Sequence, residues 1–282
     1  MFGLPWHIVL PTLLGSLIAG VICSMVGTLV VRMNLSSLGF AMSHAAFAGA
    51  SLGIMLSLSE PAWMAIVFSL ATAVVLGPLA DLSRMNSDTV VGAIFPLAMA
   101  LGLVFLSKAP SSGIGNGALA LLWGSVLGIT MNQVAGLAVV LGVMLLIFLI
   151  FGKELLALLL HRKLAQASGI NAQAISYAVL FMVAVVVAVA MRVTGGLLIY
   201  ALMILPASAA FQWVYDIKKV FVLAPALGIA SALGGFTLSL SMDLPMGSAI
   251  ALCAAGIFIL SAAASPKRRR GIRAARSSSD AR

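Results

Sequence analysis

Nine apolar runs divide the chain, at about 8–31, 39–58, 61–80, 89–107, 133–152, 175–191, 195–213, 220–240 and 246–264. Each approaches the ~20 residues that carry an α-helix across the hydrocarbon core of a bilayer. Backbone groups in lipid must be satisfied within their own segment or in a closed barrel, and these runs are too long and too uniformly apolar for barrel strands. The chain therefore reads as all-α: a polytopic transmembrane helix bundle of eight to nine spans. Composition agrees. Of 282 residues, 62% are hydrophobic and 8% are charged, with a mean hydropathy of +1.19. A soluble domain carries about 25% charged residues, so a soluble enzyme is excluded and no second folded domain fits. The first run has no basic region before it, which predicts a retained span and not a cleaved signal. Ridges of small residues such as Ala41, Ala45, Gly49 and Gly53 predict close helix contacts.

Charge placement orients the bundle. The net charge is +9, and +6 of it falls in the last sixteen residues. That predicts a transmembrane domain over 1–265 and a basic cytoplasmic tail over 266–282 that touches anionic lipid and does not bind nucleic acid. With the C-terminus inside, Arg32, Arg84, Lys153, Arg162, Lys163, Lys218, Lys219 and the tail all lie inside, so 14 of 16 basic residues share one side. Lys108 and Arg192 fall outside. The boundary between 175–191 and 195–213 is open: Arg192 and Gly195–Gly196 fit an external turn, a re-entrant turn or a broken helix.

Two connections are long. The outer one holds GIGNG at 113–117, which follows no strand and reads as a flexible turn before a short interfacial helix near 118–129, not as a nucleotide loop. The inner one, 153–174, places Leu156, Leu160 and Leu164 at helical spacing beside Arg162 and Lys163. It predicts a short amphipathic helix that either lies on the membrane or fills a groove on a partner.

Chemistry-bearing residues are few. Glu60, Asp81, Asp88, Glu154, Asp216 and Asp243 stand at span ends, and no carboxylate is placed for a proton relay at membrane depth. No GxxxxGK[ST] occurs, so ATP hydrolysis by the P-loop route must come from another chain. His44 is the ionisable side chain well inside a span. It fits either a transition-metal ligand or a histidine bonded to a neighbouring helix carbonyl. Phe40 lies one turn earlier on the same face and offers no ligand atom. Asp88 and Asp243 read as helix starts; Asp243 with Arg192 also forms a candidate contact for an external protein. Pro206 should kink or end a helix. Cys23 and Cys253, far apart in apolar runs, read as packing residues.

Several segments together resemble the permease subunits of the ABC importers for zinc, manganese and iron. They are VVRMNLSSLGFAMSHAAFAGASLG at 30–53, SDTVVGAIFPLAMALGLVFLS at 87–107, ALLWGSVLGIT at 120–130, HRKLAQASGI at 161–170 and GGLLIYALMILPASAAF at 195–211. The resemblance implies a non-catalytic transport subunit in the plasma (inner) membrane of a prokaryote. It implies a permease dimer, a cytoplasmic ABC ATPase that hydrolyses ATP, and an extracytoplasmic substrate-binding protein. It also implies alternating access, with a transported divalent metal and no permanently bound cofactor. His44 matches the family's histidine in the second helix, and His161, Arg162, Lys163, Leu164, Ala165 and Gly169 match its coupling segment. Phe40 stands where many members have Asp, and His161 where many have an acidic residue. Phe40 places zinc ahead of manganese and iron, and it leaves open a metal chelate or small organic cofactor as cargo. A secondary carrier working without ATP is the further alternative.

Overall fold

The computed structural model describes residues 6–83, 87–110 and 129–265. Within them the architecture is ten α-helices and no strand. They are α1 (Trp6–Arg32), α2 (Ser36–Met55), α3 (Ala62–Ser83), α4 (Ser87–Ser107), α5 (Met131–Leu160), α6 (Arg162–Ala167), α7 (Ala172–Thr194), α8 (Gly196–Trp213), α9 (Ile217–Met242) and α10 (Met246–Ala264). All nine apolar runs are helical. Seven of these helices are long and apolar enough to cross a membrane, and α3 and α8 carry shorter apolar stretches, Trp63–Leu76 and Leu198–Trp213. The GIGNG turn, all but the last residue of the interfacial helix expected near 118–129, Arg84 and the basic tail lie outside the described residues.

Helices α1 and α2 form the core. Their apolar windows are 72% and 78% buried, against 17% for α5, which faces outward along most of its length. Small residues explain the difference. Lipid tails are as apolar as leucine, so helices associate through close packing, and glycine permits it. Gly20 of α1 meets Gly228 of α9 backbone to backbone, and Gly27 meets the Met203 backbone of α8. Gly49 and Gly53 bring α2 onto Met64 and Pro61, as the small-residue ridge predicts. Five buried hydroxyls are satisfied inside their own helices: Ser24, Thr28, Ser43, Thr194 and Ser231 each donate to the carbonyl four residues earlier. Ser69 instead crosses from α3 to the Ala184 carbonyl of α7 at 3.0 Å.

Three boundaries differ from the sequence reading. Helix α5 runs to Leu160 instead of ending near 152, because Leu155, Leu158 and Leu159 are buried beyond the polar Lys153–Glu154 pair. It bends at Phe151, whose backbone leaves the helical region at φ −106° and ψ 17°. Asp243 does not open a helix: it closes α9 as a left-handed cap with φ 51°, and Pro245 precedes α10. Asp carries that φ better than most side chains because its short polar group bonds locally. Helix α8 continues through Pro206, so the proline does not end it.

Two pairs of helix ends are tied together by side-chain hydrogen bonds. Arg32 in the last turn of α1 donates to the Leu159 carbonyl of α5 at 2.9 Å, and Ser265 donates to the Gln212 carbonyl of α8 at 3.1 Å.

Candidate functional site: a histidine in an aromatic seam and a capped surface helix

His44 lies in the middle of α2 and is 6% exposed. Its immediate neighbours are rings. Phe40 stands one turn before it with centroids 4.6 Å apart, and Phe95 of α4 is also 4.6 Å away. Phe40 touches Phe95 at 4.5 Å and Tyr200 of α8 at 5.2 Å. Phe40 thus joins three helices in one aromatic seam, and His44 packs into it against Phe40 and Phe95. Its Nδ1 atom is buried without a hydrogen-bond partner, so Nδ1 does not make the carbonyl bond that a purely structural histidine would use. A buried polar atom left without a partner is unfavourable by about 1–3 kcal/mol, which makes it a candidate for occasional use by something else. Among the described residues no group of three or more His, Cys, Asp or Glu gathers to hold an ion. The site offers one unpartnered imidazole nitrogen among aromatic rings.

The open boundary at 195 resolves beside this site. Helix α7 ends at Thr194, and α8 begins at Gly196 after a single residue, Gly195, at φ 78° and ψ 155°. That backbone favours glycine. The break is buried: Thr194 is 2% exposed and Leu198 3%. A Cβ on Gly196 would lie 3.8 Å from the Ser43 carbonyl oxygen, so the break packs against the residue next to His44. It is a broken helix inside the bundle, not a loop outside it.

The inner connection forms α6, packed on α5 and α7. His161 is an exposed, extended residue that separates α5 from α6. It interrupts the leucine stripe: Leu160 and Leu164 are 64% and 66% exposed. Ala165 is 2% exposed and packs inward, while Lys163 points to the surface. The spacing of Ala165 and Gly169 has a local cause. Ile170 N donates to the Ala165 carbonyl at 3.1 Å and Gly169 N to the Gln166 carbonyl at 3.0 Å. With Gly169 at φ 81°, this is a Schellman cap. The side chains of Arg162 and Arg192 lie outside the description. Arg192 falls in the last turn of α7, ahead of the buried break, and Asp243 is exposed at the end of α9.

Sequence reasoning missed Phe95, Tyr200 and the burial of the Gly195 break. Phe95 precedes Pro96 in an unremarkable apolar run, and nothing local pairs it with residue 40. Tyr200, one turn after Gly196 and the first polar side chain of its apolar run, was the available signal.

A bundle of spanning helices, with a buried histidine in one of them and a capped surface helix, fits an integral membrane permease. The chain belongs to the ABC 3 transport family, whose description matches residues 6–265. It is 30% identical over 267 residues to the manganese import system permease protein ScaB of Streptococcus gordonii, covering 94% of each chain. It is 26% identical over 256 residues to the high-affinity zinc uptake system membrane protein ZnuB of Haemophilus influenzae, covering 91% of this chain and 97% of that one. The solved structure of PsaBC from Streptococcus pneumoniae, in complex with Fab, superposes with a TM-score of 0.83. Identity there is 28%, over 94% of each chain.

Proposed function

We propose that this chain is the membrane subunit of an ATP-driven importer that carries a divalent transition metal ion inward, zinc first, with manganese and iron as the other candidates. His44 carries the reading. It supplies an unpartnered imidazole nitrogen inside a spanning helix, and neutral imidazole suits zinc and its neighbours in the first row. Relatives named for manganese and zinc uptake support the same class of cargo. One nitrogen with no carboxylate beside it favours a borderline ion over manganese, which prefers oxygen ligands.

The work is gating. A cytoplasmic ABC ATPase grips the surface around Lys163 and Leu164, and its closure moves α6 as a unit because Ala165 and Gly169 lock that helix in shape. The movement passes through α5 and α7 to the break at Gly195 and so to the seam around His44. An external binding protein delivers the ion at the opposite end, with Arg192 and Asp243 as docking contacts, and a second permease copy completes the pathway. The basic end faces the cytoplasm, in the plasma membrane of a prokaryote. ATP stays on the partner, and the chain itself catalyses nothing.

The rings of Phe40, Phe95 and Tyr200 favour a second reading, in which the cargo is a metal chelate whose organic shell meets those faces. Stimulation of ATP hydrolysis in the complete transporter by Zn2+, Mn2+, Fe2+ and chelated metal separates the two. Stimulation by free Zn2+ supports the first reading; stimulation by chelates alone overturns it in favour of the second.

A further inference from the structure

Seven residues beyond His44, on the same face of α2, stands a second orphan. Ser51 is 0% exposed and its Oγ has no hydrogen-bond partner. This is unusual within the same bundle, where Ser24, Thr28, Ser43, Thr194 and Ser231 all donate to the carbonyl four residues back. Serine in a helix interior ordinarily takes that bond, and burying a hydroxyl without one is unfavourable. By helical rise the two orphan atoms sit on positions about 10 Å apart along α2.

Between them, on the same face, lies Phe47, 1% exposed. Its ring occupies a notch left by Gly102 of α4: a Cβ on that glycine would fall 2.5 and 2.6 Å from ring atoms of Phe47. Phe40, His44 and Phe47 face α4, and helical spacing puts Ser51 next on the same face, so aromatic and polar positions alternate. Phe40 and His44 meet Phe95, and Phe47 meets Gly102.

We propose that Ser51 is a second polar station on the cargo's route, placed along the seam between α2 and α4, and that Phe47 is the gate separating it from His44. A hydroxyl oxygen left free of its own helix can bind a partly dehydrated cation. An aromatic ring between two such stations keeps them from being joined by water while the bundle is closed. This rests on the metal-import reading for its cargo. The existence of the route rests on the orphan atoms and the ring alone.

The test uses the complete transporter, with the full chain, its ATPase and its binding protein in vesicles, and Zn2+ as the probe. A hydroxyl with only a structural place in the core would behave simply. Ser51→Ala would then remove an unsatisfied atom, hold or raise Tm and leave uptake unchanged. The proposal expects Tm held or raised while apparent affinity for Zn2+ falls about fivefold, the size of one lost polar contact. Unchanged affinity overturns it.

A second variant reads the route without any transport. Ser51→Cys, in a chain with Cys23→Ala and Cys253→Ala, should react with a small water-soluble thiol reagent during ATP turnover, faster than at rest, and Zn2+ but not Mg2+ should slow the reaction. No reaction in any state overturns the proposal. Turnover-dependent reaction in a complex that takes up no metal supports the route and places the failure on the choice of cargo.

Discussion

Arg32 Nε donates to the Leu159 carbonyl across 127 residues of sequence, at 2.9 Å, and so ties the end of the core helix α1 to the end of α5 just before the surface helix α6. The last carbonyls of a helix have no partner within it, and a cation there also meets the negative end of its dipole. The contact joins the buried core to the segment on which a cytosolic partner would act.

Arg32→Ala should therefore separate stability from coupling. Its direct contribution to folding is small, about 1 kcal/mol, because Arg32 is largely exposed. ATP hydrolysis by the complete complex should persist while Zn2+ moved per ATP falls several-fold. Measuring both in the same vesicles checks this. A coupling ratio equal to that of the unaltered chain would show that the contact transmits nothing.

Gly169 makes a second, sharper test of the surface helix. Its positive φ closes the Schellman cap of α6, and nothing lies within 4 Å of where a Cβ would go. Gly169→Ala thus adds strain of about 1–2 kcal/mol and no clash. Loss of ATPase binding in a pull-down with purified partner, with little change in permease Tm, is the expected outcome.

Exposed Leu164 gives the complementary case. It is 66% exposed beside exposed Lys163, so an aspartate there burdens neither the core nor the bilayer-facing helices. Leu164→Asp should leave the detergent-solubilised chain folded and weaken ATPase association by about tenfold, as expected for an apolar anchor near an interface centre. Size-exclusion chromatography of the mixed subunits reads the result.

Packing at the core is testable without any partner. Gly20 and Gly228 bring the α1 and α9 backbones together, and a Cβ on Gly20 would come within 2.8 Å of the Gly228 carbonyl oxygen. Gly20→Ala should push the helices apart and destabilise the bundle by about 1–3 kcal/mol, the range for overpacking. Gly256→Ala has open space around it and should be near neutral. Thermal unfolding in detergent compares them.

How much of this was legible in the sequence follows from the range of each interaction. The apolar runs gave their own positions, since a span is set by its own residues and the bilayer. The small-residue ridge on α2 and the place of the surface helix were readable for the same reason. His44 stood out as an ionisable group within a span. The rings around it come from residues 40, 95 and 200, and no local pattern announces that three helices meet there. The end of α5 was misread because Lys153 and Glu154 looked like an exit, while burial of Leu155 and Leu159 carries the helix on. Asp243 looked like a helix start because a proline follows it, yet its backbone angle makes it the end of the helix before. The sequence left Gly195–Gly196 ambiguous between a turn and a broken helix. Only the packing of Gly196 against Ser43 places the break indoors.

The central claim is that this bundle has no drive of its own and opens only when an ATPase acts on α6. Zn2+ accumulation in liposomes, measured for the purified chain alone and for the chain with its ATPase, binding protein and ATP, tests it most directly. The complex should accumulate Zn2+ against its gradient and lose that ability when ATP is withheld, while the chain alone stays idle. Sustained uphill accumulation by the single polypeptide would contradict the account.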